Sequence, residues 1–312
     1  MNKIKLSIIV PIYKYHDCFE NCLKSLVNLK SQYRYEILLE CFGSNQKIID
    51  IVNKYEKEYP ELIHLTIHET NYGVSLSRND GILKARGEYI CFVDNDDIVD
   101  KNYLTFIFKK IDKYPDVDIL SFGYYSHKIT KHMQPFRTSF KGDGKKVLKY
   151  FFNHLNLKFQ VYCWLRIYKT DFIRNNNIWF TSEINIYEDW PFFAKSFYYA
   201  KKVKFFRKQL YYYVQRKGSA VHKTRDSLYY NLKAIEIIRK HLYSVDKEYA
   251  DSIFKNISKQ MKLHMLLVSY QSKDLYNKTT KDLYKEAKIK LKDVYDGKEI
   301  DYGPKKISWN IL

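Results

Sequence analysis

Tyr89-Ile90-Cys91-Phe92-Val93-Asp94-Asn95-Asp96-Asp97 decides how this chain is read. Five apolar and aromatic residues in a row predict a buried strand. Four polar residues close it, three of them acidic. Carboxylates so near one another repel and need relief. A divalent cation gives it, because Mg²⁺ and Mn²⁺ take carboxylate oxygens together with phosphate oxygens of a ligand. A solvated turn gives it too, with Asp97 or Asp100 capping the helix that follows.

Towards the N-terminus, strands and helices alternate. Leu6 to Pro11 and Glu36 to Leu39 are short apolar runs that read as strands. Between them Phe19, Cys22, Leu23, Leu26 and Leu29 recur at helical spacing. Ser44 is placed to cap a helix through Ile48, Ile51, Val52 and Tyr55. A strand from Leu62 to Ile67 and a helix from Val74 to Ala85 follow. Downstream, Leu104 to Ile111 reads as a helix and Val117 to Phe122 as a strand. The alternation predicts an α/β fold, a mostly parallel sheet with helices on both faces. Ligands of such sheets bind beyond the carboxyl ends of the strands, where Asp94 to Asp97 stand.

After about residue 125 the pattern changes. Gly142-Asp143-Gly144 opens a helix through Phe152, and Val161 to Tyr168 reads as a strand. Glu188 to Tyr199 reads as a helix and Val203 to Tyr213 as a strand. From Asp226 the periodicity is helical, with one stripe at Leu232, Ile235, Ile238 and Leu242. Another runs from Ile253 to Val268, and Lys281 to Val294 is a charged helix. The boundary falls near residue 222, between an α/β domain (1–222) and a helical, basic region (223–312).

The chain carries 54 Lys and Arg against 35 Asp and Glu, a net charge of +19, and 17 % of it is aromatic. Residues 1–120 hold 16 basic and 18 acidic side chains, while residues 121–312 hold 38 and 17. The second part is thus a positive, aromatic surface of the kind that meets polyanions or anionic lipid headgroups. Lys-, Tyr- and Asn-rich usage of an AT-rich genome accounts for a share of the same excess. No run of 18 apolar residues predicts a transmembrane helix. The apolar stretch after Met1 is too short for a signal peptide. The expected location is the cytoplasm. The five cysteines lack zinc-ligand spacing and read as buried thiols.

Three further segments carry chemistry. Asn71-Tyr72-Gly73-Val74-Ser75-Leu76-Ser77-Arg78-Asn79-Asp80-Gly81 is a turn feeding a helix N-terminus, which favours phosphate. Arg78 on that helix is either a pyrophosphate or base contact or an ordinary surface arginine. Ile186-Tyr187-Glu188-Asp189-Trp190-Pro191 sets two carboxylates among aromatics. They are candidates for a general base, or for a helix N-terminus with Pro191 in its first turn. Tyr213 to His222 is a basic loop containing Arg216, Gly218 and Ser219.

Taken in order, these segments resemble the family 2 glycosyltransferases of the GT-A fold. Ser7 to Tyr13 matches the opening strand of that family. Asn71 to Gly81 matches N-x-G-x-S-x-x-R-N-x-G, and Phe92 to Asp97 matches F-x-D-x-D-D. Glu188-Asp189 matches an aromatic-lined E-D, and Tyr213, Arg216 and Ser219 match Y-x-x-R-x-x-S. The resemblance covers about residues 5–222. It implies a catalytic domain over 1–222, with the helical region facing the acceptor or a membrane.

It also implies residue roles. Pro11, Ile12 and Tyr13 would wall the nucleotide pocket, and Arg78, Asn95, Arg216 and Ser219 would contact the donor. Asp96 would bind Mn²⁺ or Mg²⁺, with Asp94 beside it near the ribose and His222 a further candidate ligand. Asp189 would be the catalytic base, Glu188 would hold the acceptor or orient the loop, and Trp190 would face the acceptor. The chemistry implied is inverting transfer of a hexose, glucose favoured, from a UDP-sugar to an acceptor glycan carried on polyprenyl diphosphate. The expected place is the inner face of the cytoplasmic membrane.

One departure stands out. The family usually reads E-I-I-V-V-D-D-G-S after its second strand. Here Cys41 and Phe42 fill the two Asp positions before Gly43 and Ser44. Glu40 could substitute if the strand bulges. Two rival functions fit less well. A nucleotidyltransferase usually carries a Gly-rich basic loop after the first strand, and Ile12 to His16 contains no glycine. A nucleic-acid-binding protein would explain the charge but not the acidic strand end, and no RNP or zinc-finger pattern occurs.

Overall fold

All seven residues of β1 (Leu6–Ile12) are buried. Alternate side chains of a strand point to opposite faces, so an unbroken buried run means both faces are covered. The computed structural model describes residues 3–13, 15–43, 45–70, 72–126, 129–133, 141–154, 161–214 and 227–257, with the isolated positions 289, 293 and 298. β1 pairs in parallel with β2 (Tyr35–Phe42) on one side and β4 (Tyr89–Phe92) on the other. β3 (Ile63–His68) adds in parallel outside β2.

Beyond β4 the sheet becomes mixed. β9 (Arg166–Lys169) runs antiparallel between β4 and β6 (Ile119–Ser126). β10 (Val203–Tyr213) lies parallel to β6, and β5 (Ile98–Val99) closes that edge antiparallel to β10. The order is β3-β2-β1-β4-β9-β6-β10-β5, with β7 (Ile129–Met133) pairing β6 and β8 (Lys141–Gly142) pairing β10. The sheet is therefore mostly parallel, as expected. The stretch Val161–Tyr168 differs from its reading as one strand. Its first part is a 3₁₀ turn (Cys163–Leu165), and only Arg166–Lys169 pairs. The buried Arg166 guanidinium donates back to the Tyr162 carbonyl, which folds that turn under the strand.

Helices cover the sheet. They are α1 (Phe19–Val27), α2 (Gln46–Glu58), α3 (Val74–Lys84), α4 (Tyr103–Lys113), α5 (Gly144–His154), α6 (Thr170–Asn175) and α7 (Asp189–Tyr199). α8 (Ser227–Val245) and α9 (Lys247–Ile257) follow. The described cap of α2 is Asn45, whose side chain accepts from the Ile48 N–H at 3.1 Å; Ser44 lies outside the described residues.

α3 packs over β1 and β2. Two glycines set its place. Gly73 at its N-cap has φ of 89°, a conformation strained for any side chain. Gly81 lies so close to Ile9 of β1 that a Cβ there would overlap the Ile9 side chain. α8 packs on α7 and α9 on α5, and their apolar residues join the same buried core as the sheet. The boundary near 222, the stripe beyond Ile257 and the charged helix Lys281–Val294 lie outside the described residues, apart from the isolated positions.

Candidate active site

The carboxyl end of β4, the first turns of α3 and the start of α7 meet around one side chain. Arg78, on α3, is 3 % exposed. Its guanidinium donates to Glu188 Oε1 at 2.7 Å and to Asp94 Oδ1 at 2.9 Å, and lies 3.5 Å from Asp189 Oδ1. Below it the Phe180 ring lies 5.2 Å from the guanidinium carbon and stacks on Phe192. Asn79 holds that floor, accepting from the Phe180 N–H and donating to its carbonyl, both at 2.9 Å. The segment read from sequence as a turn and helix is thus a bracket joining three parts of the chain.

The carboxylates respond to this setting. Burial and the neighbouring Asp189 push Glu188 up to about 7, against the pull of Arg78. Asp94 is raised by burial, again opposed by Arg78. Glu188 and Asp189 open α7, but Glu188 makes no side-chain cap. Their side chains turn to Arg78 instead. Tyr187, just before them, has φ of 64°, which few non-glycine residues adopt.

Asp97 is fully buried and has a different role. It accepts from the Tyr211 hydroxyl at 2.7 Å and from the Val214 N–H at 2.8 Å, tying β10 to the acidic turn. Burial and the charges of Asp94 and Asp96 raise it well above the carboxylate range. Asp100 accepts from the Asn102 N–H at 2.8 Å, a turn ahead of α4, whose own N-cap Asn102 makes no side-chain cap. Within the four-residue cluster, Asp94, Asn95 and Asp96 remain half-buried. Asp94, Asn95 and Asp96 offer oxygen donors, the ligand type that Mg²⁺ and Mn²⁺ take.

Pro11 and Ile12 are buried inside β1, and Tyr13 beyond it is 43 % exposed. β2 pairs with β1 and β3 without a bulge. Glu40 therefore points to α3, where Lys84 donates to it at 3.2 Å. Glu40, His68 and Asp80 can bring one ligand atom each within 4.8 Å of one another. An ammonium already sits among these groups, since Lys84 also pairs with Asp80 and donates to Thr66. Phe42 stacks on His68 with 4.1 Å between centroids. Trp190 is buried against Phe151 and Tyr187. Asn71, Arg216, Ser219 and His222 lie outside the described residues. Sequence reasoning missed the brace made by Tyr211. Its spacing of two from Tyr213 on a strand, which puts both rings on one face, was the available signal.

A family model described as Glycosyl transferase family 2 matches residues 7–174. The chain belongs to glycosyl transferase family 2. Among relatives in this family, it is 29 % identical over 220 residues to the uncharacterized glycosyltransferase EpsJ of Bacillus subtilis, covering 69 % of this chain and 62 % of that protein. It is 28 % identical over 226 residues to the poly(ribitol-phosphate) beta-glucosyltransferase of Bacillus spizizenii, covering 69 % of this chain and 33 % of that one. The matches thus span less than two thirds of either relative. Its fold matches the crystal structure of Staphylococcus aureus TarS 1-349 in complex with UDP-GlcNAc, with a TM-score of 0.74 at 21 % identity over 94 % of this chain and 82 % of that one. The fold is GT-A. Among the described residues of this family 2 chain, no helix is long and apolar enough to cross a membrane.

Proposed function

We propose that this chain transfers a hexose, glucose favoured, from a UDP-sugar to a hydroxyl of an acceptor glycan, with inversion at C1. The observation that carries this is the meeting of Asp94, Glu188 and Asp189 on one buried cation, Arg78. A strand-end acid for the donor side and a helix-start acid for the acceptor side are thereby held in one place. As the acceptor oxygen bonds to C1, the bond from C1 to the diphosphate breaks on the opposite face. The acceptor proton passes to Asp189, the base. Arg78 orients Asp189 and Asp94, and Glu188 keeps its place beside the acceptor. Tyr13 supplies the open wall of the nucleotide pocket behind Pro11 and Ile12.

Asp96 and Asp94, with His222, would hold Mn²⁺ or Mg²⁺, which offsets charge on the leaving diphosphate. Arg216 and Ser219 serve that diphosphate too, and Asn95 the donor. The acceptor glycan is carried on polyprenyl diphosphate at the inner face of the cytoplasmic membrane. This agrees with the positive second part of the chain.

The test is release of UDP from a panel of UDP-sugars with Mn²⁺. Asp189→Asn keeps donor binding and lowers turnover about 100-fold or more, the usual range for a lost base. Asp96→Ala loses metal-dependent donor binding. If Asp189→Asn turns over like the parent, Asp189 is not the base. If no nucleotide sugar binds, the transferase reading fails.

A further inference from the structure

A set of aromatic rings leads outward from the acidic strand end. Tyr211, whose hydroxyl holds Asp97, stacks on Trp164 with 4.3 Å between centroids. Trp164 stacks on Tyr162 at 4.8 Å and on Tyr213 at 5.8 Å, each pair within 7° of parallel. Tyr124 stands edge-on to all three, at 6.3 Å from Tyr162, 5.2 Å from Trp164 and 6.3 Å from Tyr213. Trp164 and Tyr211 are buried, but Tyr162 is 39 % exposed. One face of the Tyr162 ring is covered by Trp164 and its edge meets Tyr124, and over a third of the residue stays exposed.

This ring stands beside the base. Cys163, the next residue, is fully buried, and the charge of Asp189 acts with burial to raise its thiol. Asp189 and Tyr187 are near enough to act on the Tyr162 hydroxyl electrostatically.

We propose that Tyr162 is the platform on which a pyranose ring of the acceptor lies, so that the acceptor is a cyclic glycoside and not an open-chain polyol phosphate. The proposal rests on glycosyl transfer with Asp189 as base. A pyranose presents a flat face of C–H groups that an aromatic face can cover. The ring is braced before the acceptor arrives, so little rotamer freedom is lost on binding. A polyol phosphate has no such face. The nearby cation Arg166 is buried between Phe193 and Phe197 and already donates to the Tyr162 carbonyl. Trp190, buried at 7 % exposure, offers no comparable face.

The experiment uses the full chain, Mn²⁺ and UDP-glucose, and compares the parent with Tyr162→Ala and Tyr162→Trp. UDP release to water is measured first, then its stimulation by methyl β-glucoside and by ribitol 5-phosphate. Saturation-transfer NMR of methyl β-glucoside reads binding without turnover. Tyr162→Ala is expected to keep acceptor-free hydrolysis within twofold, to raise the glycoside KM at least fivefold at unchanged kcat, and to lose the NMR transfer. Tyr162→Trp keeps a ring face and restores all of these. Stimulation by ribitol 5-phosphate alone, or an NMR signal and KM indifferent to Tyr162→Ala, overturns the platform. Absence of UDP release from every UDP-sugar overturns the transferase reading, and the NMR comparison still decides the platform.

Discussion

Arg78 makes the acidic site possible at the scale of single residues. Three carboxylates drawn from two distant stretches would repel one another without it. Its identity was legible in the sequence as part of a motif. Its surroundings were not, because Asp189 lies 111 residues away in sequence and no periodicity reports such a contact. Glu40 teaches the reverse lesson. Its position beside the missing acids suggested a donor contact, but an unbulged β2 aims it at Lys84. Burial pushes Glu40 up from an ordinary 4.5 to about 7, with Lys84 opposing. The folded protein therefore keeps a proton that the unfolded chain has lost between those pH values. The contribution is present below the lower value and is lost as pH rises through the upper one. At roughly 1.4 kcal/mol per unit, the loss is on the order of 3 kcal/mol. Glu40→Gln, which stays neutral, should melt higher than the parent at pH 8 and close to it at pH 5. Parallel melting curves at both pH values would contradict this.

At the scale of elements, α3 is defined by what it lacks. The absence of a Cβ at Gly81 lets the helix settle on Ile9. Gly81→Ala forces either the helix or Ile9 to move, and overpacking of this kind costs about 1–3 kcal/mol. A urea titration should show a lower midpoint with an unchanged slope; an unaltered midpoint would mean the contact gives way freely. This helix was legible because its glycines, serines and arginine stand at motif spacing. The stretch from Val161 was not. A short apolar run can belong to a strand or a turn, and the choice was made by Arg166 folding back on Tyr162. The antiparallel insertion of β9 between β4 and β6 likewise depends on pairing between remote segments. Local sequence carries no mark of it.

For the whole molecule, alternation of strands and helices made the fold class legible, and the covered β1 shows why: a strand buried on both faces is apolar except where a polar group finds a buried partner, as Ser7 does in Glu36. The charge is a separate matter. With 38 basic and 17 acidic side chains after residue 120, the second part would be drawn to an anionic surface. Flotation with phosphatidylglycerol vesicles should carry the chain at low salt and release it at high salt, where screening shortens the reach of each charge. Vesicles of neutral lipid should leave it behind at either salt. No flotation with anionic vesicles at low salt would remove the membrane from the proposal.

Tyr187 has a consequence for how such a site can change over time. An L-residue at φ of 64° carries on the order of 1–2 kcal/mol of steric cost. Its ring, meanwhile, contributes packing against Trp190. Replacing it with glycine removes both at once, and the two effects oppose each other. A mutational survey scored on protein abundance would pass this position as neutral, although the backbone that aims the neighbouring acids had been released. Drift through neutral steps is open here in a way that it is closed at Gly81.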